Sequence, residues 1–461
     1  MFLRIFFICL LFFPTAASAG VFFPQTFTLA NGLQVIVVPN HLAPAVTQMV
    51  WYKVGSIDEV PNKSGLAHYL EHLMFRGTTD IPPGEFSKIL AAQGGNDNAF
   101  TTYDFTAFHE TVASDRLAMI MQMEADRMQN LDIKVETATP ELSVVLDERQ
   151  ERTDNNPQGK FEEQLGKTLF PNYPYGIPVI GWRSEIEKLT ADDAKDFYKH
   201  HYAPNNVVVI ISGDVSLDEV MRLAAATYGR LPRVDVTPRP IFPKLSEPTK
   251  NLIEVTDIRV QQPHLELHFV APSYATQKGR EAYALEVLNE TLDGGEVGLL
   301  YRQLVVKEKL ASGVDVDYDP DARGASSFSI SLEPAPDIDI KVLEQALWHE
   351  LKDLDRTGID KKEIALAQSR LQRSAIFARD SLLAPGYVFG QALAIGHTVD
   401  DVEAWPDRIK AVTPQEVDTA LHHLINSHDY VMGFLLPDPN ATPEARAAAS
   451  EPSHAHELGI R

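Results

Sequence analysis

The chain has 461 residues, too many for one hydrophobic core and sufficient for two domains of about 200 residues each. Its formal charge of −23 argues against nucleic acid and anionic lipid as partners and mildly favours cationic peptides. The only cysteine, Cys9, lies in an N-terminal apolar run. A chain that loses that run therefore has no disulfide, no thiolate metal site and no cysteine nucleophile.

The first residues have the pattern of a cleavable secretory signal. Arg4 precedes the apolar run IFFICLLFF, and the small residues Ala17, Ser18 and Ala19 end it as a cleavage site. Because the run is short for a membrane span, we predict a signal peptide at residues 1–19 and a periplasmic or secreted mature chain. An uncleaved N-terminal anchor is the alternative. After cleavage we expect no stable membrane insertion.

Strands and helices alternate in a similar order in the two halves of the remaining chain. The first half begins with the strand patterns FTLANGLQVIVVPN and VTQMVWYKVGS, and Asn31-Gly32 predicts a hairpin turn. Helices follow, then TAFHETV, more helices, the strand NVVVIISGDV and the helix SLDEVMRLAAATYGRL. The second half has the strands PHLELHFVAPS, SSFSISLEP and YVMGFLLP around the helices REAYALEVLNETL and DIKVLEQALWHELKDL. This order indicates a weak duplication.

Proline marks the boundary between the halves. The segment LPRVDVTPRPIFPKLSEPTKN, residues 231–251, contains five prolines and is predicted to form a stiff, extended linker. We therefore place an N-terminal domain at residues 20–230 and a homologous C-terminal domain at residues 252–436. The polar end of the chain, residues 437–461, is predicted to form a disordered tail.

The segment HYLEH predicts a metal site on one helix, for which Ser64 is the expected N-cap. At 3.6 residues per turn His68 and His72 project from the same side, and Glu71 lies within a turn of both. Two imidazoles can bind a zinc ion, and a carboxylate can interact with its bound water. A solvated helix face would usually carry more charged side chains than this one does. Catalytic zinc takes three protein ligands, so a third must come from elsewhere.

A second predicted helix, beginning at Pro140 and continuing as ELSVVLDERQER, offers candidates for the third ligand. Glu141 and Glu148 are seven residues apart, two helical turns, and therefore lie on one face. Asp147 and Glu151 are rivals. The residues alone do not choose among these four carboxylates.

The surroundings of this motif resemble those of a known family. H-x-x-E-H is the inverse of the common H-E-x-x-H order. The stretch GLAHYLEHLMFRGT, with a glutamate 76 residues after the second histidine, closely resembles the insulinase/pitrilysin family, which includes the mitochondrial processing peptidase. GGNDNAFTTYDFTAF and YPYGIPVIGWRSEIEKLTADDAKDFYKHHYAPNNVVVIISGDV also match, so the resemblance covers about residues 27–229. The second half matches only loosely.

This resemblance implies a fold and a set of roles. The fold is α+β, with two similar α/β-sandwich halves that face each other as a clamshell. His68, His72 and Glu148 would bind one zinc ion per chain. Glu71 would be the general base that takes a proton from the zinc-bound water, and Glu141 would support the catalytic centre. The implied activity is that of a zinc metalloendopeptidase acting on unfolded peptides or short protein segments.

The resemblance also implies a substrate-binding strand. It places Asn98, Ala99, Phe100 and Thr101 on an edge strand beside the metal, where a peptide adds as another strand. Gly94 and Gly95 precede this segment and leave the backbone close to the site, which favours the functional interpretation over a simple turn.

One departure from the family concerns the second half. Many members carry an Arg and, seven residues later, a Tyr that bind the substrate from across the chamber. In LYRQLVVKEKLASGVDVDY the aligned positions hold Val305 and Ser312, while Arg302 and Tyr318 are out of register. We therefore expect a dimer with a non-identical sister subunit that supplies the Arg/Tyr pair. The alternative function is a zinc-binding subunit of a heteromeric peptidase with little activity alone; zinc buffering is disfavoured because it would need His-rich tracts.

Overall fold

The structure is a computed structural model that describes residues 20–248, 252–276 and 279–442. The predicted signal peptide and residues 443–461 of the predicted tail lie outside the described residues. Within these ranges, no helix has the length and apolar character needed to cross a membrane.

The described strands form two sheets, one in each half of the chain. The first has the order β1-β2-β6-β3-β5-β4 and the second the order β7-β11-β8-β10-β9. The strands are β1 (Gln25–Thr28), β2 (Gln34–Pro39), β3 (Ala45–Tyr52), β4 (Asn96–Thr101), β5 (Thr106–Ala113), β6 (Val207–Gly213), β7 (Leu252–Asp257), β8 (His264–Ala271), β9 (Ala311–Tyr318), β10 (Ser326–Pro334) and β11 (Tyr430–Pro437).

Helices cover these sheets. A π-helical turn, Gln150–Asp154, extends α4, and a second π-helical segment is Tyr301–Lys307. The α-helices are α1 (Leu66–Leu73), α2 (Glu85–Ala92), α3 (Leu117–Asn130), α4 (Val135–Arg149), α5 (Pro157–Leu169), α6 (Arg183–Ile186), α7 (Ala191–His201), α8 (Leu217–Ala226), α9 (Gly279–Leu292), α10 (Ile340–Thr357), α11 (Lys361–Phe377), α12 (Ala384–Ile395), α13 (Val399–Glu403), α14 (Trp405–Lys410) and α15 (Pro414–Asn426).

The two sheets share one topology, which confirms the predicted pair of similar halves. In each sheet the last strand of the half lies between the first two core strands, so β6 separates β2 from β3 and β11 separates β7 from β8. That last strand runs parallel to one neighbour and antiparallel to the other in both sheets. The predicted hairpin at Asn31-Gly32 is also confirmed, since β1 and β2 pair antiparallel.

Each half of the chain packs one helix against the sheet of the other half. One face of each sheet packs on helices of its own half, forming two separate cores. The other face of the first sheet is covered by α12 from the second half, where Gly390 lies so close to Trp51 that a Cβ would fall 2.0 Å from the indole. The second sheet is covered by α5 from the first half, with Phe161 against Gly433. The sheets are therefore held together by reciprocal apolar contacts.

Both predicted helix starts near the site were wrong. Helix α1 begins at Leu66 with Gly65 as N-cap, because the carboxylate of Glu59 accepts hydrogen bonds from the N–H groups of Gly65 (3.1 Å) and Ala67 (2.8 Å). Ser64 Oγ instead accepts a hydrogen bond from the Trp182 N–H at 2.9 Å. Helix α4 begins at Val135, so Pro140 lies inside it.

A buried polar network also joins the halves. The carboxylate of Asp104, in the turn after β4, accepts hydrogen bonds from the Tyr175 hydroxyl (2.5 Å) and the Arg323 N–H (3.1 Å). Arg239, from the proline-rich segment, donates to the Asp104 carbonyl oxygen (2.6 Å) and to the Asp58 carboxylate (2.9 Å). Burial raises the pKa of Asp104, so these donors compensate a carboxylate that lies away from water.

We predict that Tyr175→Phe weakens this joint, because the buried Asp104 carboxylate loses one donor. Loss of one partner of a buried hydrogen bond costs about 1–3 kcal/mol, so the urea midpoint should fall. Tyr301→Phe, at a hydroxyl outside this network, is the control. An unchanged midpoint for Tyr175→Phe would show that the network does not contribute to stability.

Candidate metal centre

Helices α1 and α4 pack side by side and position the site. Leu66, Leu70 and Leu73 of α1 are buried in the first core, so the opposite side of the helix faces α4. The Tyr69 hydroxyl donates to the carbonyl oxygen of Ala138 at 2.6 Å and fixes the two helices relative to each other. The histidines of α1 therefore meet the glutamates of α4.

The donor atoms of three side chains converge in this contact. The Oε2 atom of Glu148 lies 3.2 Å from His72 Nε2 and 3.7 Å from His68 Nε2, and the three ligand atoms lie within 4.8 Å of one another. Tetrahedral zinc, with bonds of ~2.0–2.2 Å, separates its ligand atoms by roughly 3.3–3.6 Å. The spacing of these residues therefore fits a zinc ion with little rearrangement.

The structure brings one of the four candidate carboxylates, Glu148, to the two histidines. Asp147 and Glu151 are exposed, whereas Glu148 faces the two histidines. Within the described ranges, His68, His72 and Glu148 form the only group of three such side chains close enough to hold a metal ion.

Charged side chains outside the ligand group orient His72 and Glu148. Since an ionised carboxylate only accepts, His72 Nδ1–H donates to Glu141 Oε1 at 2.8 Å and leaves Nε2 free to bind a metal. Glu141 is buried and also pairs with Arg76. The guanidinium of Arg152 lies 2.6 Å from Glu148 Oε1, which leaves Oε2 directed at the histidines. These contacts favour binding through one oxygen of Glu148.

The pKa values of the two imidazoles are shifted in opposite directions. Burial, reinforced by the neighbouring His72, lowers the pKa of His68 to about 4. Burial also opposes protonation of His72, but hydrogen bonds to Glu141 and Glu148 outweigh it and raise its pKa to about 9. Near neutral pH His68 is therefore neutral, while His72 holds a proton that a metal must displace.

Glu71 lies beside this group on the same helix. Its side chain is buried, and burial raises its pKa despite the hydrogen bond that it accepts from Thr101. The Thr101 Oγ1 atom donates to Glu71 Oε2 at 2.5 Å, which orients the carboxylate. A carboxylate with a raised pKa is a stronger base than an ordinary glutamate, and this one is fixed in position.

The four predicted substrate-binding residues lie on an edge strand and divide between its faces. In the part of the chain that the structure describes, no strand pairs with the outer edge of β4. Ala99 and Thr101 face the side of the sheet that carries α1, whereas Phe100 packs in the cluster around α12 and Asn98 shares its face. Only Thr101 contacts the predicted catalytic side chains.

The four second-half residues considered for substrate binding make contacts within their own half. Val305 packs against the second core, and Ser312 Oγ donates to backbone carbonyl oxygens of its own half. Arg302 pairs with Glu363 at 2.9 Å, and the Tyr318 hydroxyl donates to the Pro272 carbonyl oxygen at 2.5 Å. Arg302 and Tyr318 are therefore already engaged within the second half.

Sequence reasoning missed three side chains around the centre: Arg76, Arg152 and Glu59. Arg152 could have been found, because it lies four residues after Glu148 on a helical pattern. Arg76 and Glu59 lie in turns and loops, where the sequence has no helical or strand periodicity that would indicate their contacts.

Comparison with known proteins identifies the family. The model of "Insulinase (Peptidase family M16)" matches residues 34–182, and that of "Peptidase M16 inactive domain" matches residues 188–371. The zinc protease PqqE of Helicobacter pylori is 31% identical over 344 residues, which cover 74% of this chain and 76% of that protein. The chain belongs to the insulinase (M16) peptidase family.

Further relatives agree with this assignment. An uncharacterized zinc protease of Streptomyces coelicolor is 29% identical over 85% of this chain and 84% of its own length. The crystal structure of a protease from Helicobacter pylori superposes with a TM-score of 0.83 at 27% identity, over 90% of this chain and 99% of that chain. The relatives of this M16 chain are named zinc proteases, which supports a general peptidase activity and zinc as the metal.

We predict that zinc binding at pH 6 releases about one proton per ion. His72, with a pKa of about 9, is protonated at that pH, whereas His68, with a pKa of about 4, is neutral. Calorimetric titration in buffers of different ionisation enthalpy measures the released protons. Because the proton comes from His72, affinity should fall as the pH is lowered.

His72→Ala tests the same centre by metal analysis. The variant should lose both the proton release and most of the bound zinc. Full zinc content in His72→Ala would show that His72 is not a ligand.

Proposed function

We propose that this M16 chain is a zinc-dependent endopeptidase that hydrolyses unfolded peptides or short protein segments. The observation that carries the proposal is the position of Glu71, buried beside the three convergent ligands and oriented by Thr101. A protein that only stored zinc would not need this carboxylate.

Each residue has a separate task in the proposed reaction. His68, His72 and Glu148 hold the ion, and Glu141 keeps His72 in the tautomer that presents Nε2. Zinc bound there would supply the Lewis acidity that activates water and polarises a peptide carbonyl near neutral pH. Glu71 accepts the proton of the attacking water and passes it to the leaving amine.

The substrate is proposed to bind through its main chain. The outer edge of β4 is the edge nearest Glu71, since Thr101 at its end contacts that carboxylate. An extended peptide can add there as a seventh strand, with backbone hydrogen bonds that place little demand on side-chain identity. Such pairing requires an unfolded segment.

We also propose a location and a partner. The N-terminal sequence pattern supports export to the periplasm or the medium. The absence of an Arg/Tyr pair at Val305 and Ser312 supports a complex with a non-identical sister chain that supplies it. The second family model, described as an inactive domain, matches residues 188–371 and therefore includes both positions.

Glu71→Gln should retain zinc and fold and lose nearly all peptidase activity, because only the base is removed. General-base assistance contributes ~10²–10⁴-fold, so kcat should fall at least a hundredfold. Zinc content measured on the same preparation is the control. Undiminished cleavage would exclude Glu71 as the base.

The lone chain should be a feeble peptidase that a sister chain activates. Val305 donates no hydrogen bond and Ser312 is too short to replace a phenol, and removal of one donor to the developing charge costs ~10²–10³-fold in rate. A homodimer cannot restore the pair, because each copy lacks the same groups. Peptide hydrolysis should therefore rise on stoichiometric addition of an M16 homologue that carries both residues.

Size-exclusion chromatography of the two proteins, alone and mixed, should show a heteromeric complex. Full activity of the chain alone would contradict the need for a sister subunit. Zinc binding without activity in either state would contradict the proposed peptidase activity.

A further inference from the structure

We propose that Tyr387, from the second half of this chain, and Phe100 of β4 form a subsite that selects a large apolar, preferably aromatic, side chain of the peptide. The proposal rests on the proposed addition of a substrate strand to β4. It assigns a specificity determinant to the half that does not carry the metal ligands.

The register of β4 fixes which substrate side chains reach this subsite. Asn98 pairs with His109 and Phe100 with Ala107 of β5, so these four side chains share one face of the sheet. The Ala99 N–H bonds to the Asn98 Oδ1 at 2.9 Å rather than to β5, so it points to the free edge. In a peptide added at that edge, alternate side chains therefore face the metal and the Phe100 side.

Tyr387 lies on the Phe100 side of the sheet, where its ring contacts aromatic side chains of β3, β5 and the edge strand β4. Its ring stacks on Phe100 with centroids 5.6 Å apart and an interplanar angle of 18°, and it lies 6.1 Å from the ring of His109. Helix α12 holds it there, because Gly386 packs against Met49 and Gly390 against Trp51. Tyr387 is nevertheless 37% exposed, so part of its ring remains available to a neighbouring side chain.

A cavity of about 470 Å³ opens beside this aromatic pair, between the two halves. Such a volume accommodates a large side chain. Trp51, Phe100, Phe105 and Tyr387 form its apolar wall. The second half contributes residues that include Asp319, Gln391 and Glu266.

The partners of these carboxylates favour an aromatic over a cationic occupant. Glu266 is already bonded to His264 (3.0 Å) and His268 (2.6 Å). Asp319 accepts from the Asp321 N–H at 2.8 Å and from Gln391 at 3.3 Å. Glu266 and Asp319 therefore have donors, whereas the aromatic wall presents the surface that a ring can cover.

Binding to zinc-loaded Glu71→Gln protein tests the subsite without turnover. Three fluorescein-labelled ten-residue peptides of Ser, Ala and Thr would carry at their centre one Phe, one Arg or neither, and fluorescence anisotropy would measure each Kd. We expect the Phe peptide to bind about three- to tenfold more tightly than the other two. Adding Tyr387→Ala should abolish this preference, whereas adding Tyr387→Phe should retain it.

Several outcomes would overturn the subsite: equal binding of the three peptides, no binding, preference for Arg, or a Phe preference that survives Tyr387→Ala. Cleavage of the same peptides by the wild-type chain, with and without a sister chain, tests the proposed function separately. A Tyr387-dependent preference without any cleavage would support the subsite and contradict the peptidase activity. Cleavage of the Phe peptide at a rate that Tyr387→Ala does not change would support the peptidase activity and contradict the subsite.

Discussion

The position of His72 between two carboxylates is the interaction on which the centre depends. Glu141 and Glu148 lie two turns apart on α4 and hold the Nδ1 and Nε2 atoms of one imidazole, at 2.8 Å and 3.2 Å. This contact fixes the tautomer of the ring and the approach of α1 to α4. It also raises the pKa of His72, so that a metal bound there would have to displace a proton. Glu71 directly precedes His72 on α1, so the placement of this helix also sets the position of Glu71.

The second half contributes to the site through packing rather than through metal ligands. Its helix α12 covers the face of the first sheet opposite α1, while α5 of the first half covers the second sheet. The polar network around Asp104 fixes the turn that follows β4. Because Thr101 at the end of β4 hydrogen-bonds to Glu71, contacts between the halves support the geometry of this proposed base.

The sequence predicts which side chains converge between α1 and α4, because they follow helical spacing. The i, i+4 histidines and the two-turn separation of Glu141 and Glu148 are periodic, and the choice of Glu148 needed the family resemblance. Strand β4, NDNAFT, lacks an apolar alternation, since one face meets Glu71 and its edge is open. The exchange of α5 and α12 was not predictable, because an apolar pattern specifies that a helix face is buried without specifying the sheet that covers it.

A crystal structure of Glu71→Gln protein with zinc and an uncleaved peptide tests the central claim most directly. Anomalous scattering at the zinc edge should place one ion per chain on His68 Nε2, His72 Nε2 and Glu148 Oε2. The peptide should lie along the outer edge of β4, with a main-chain carbonyl beside the ion. A metal bound elsewhere, or a peptide that avoids this edge, would contradict the account.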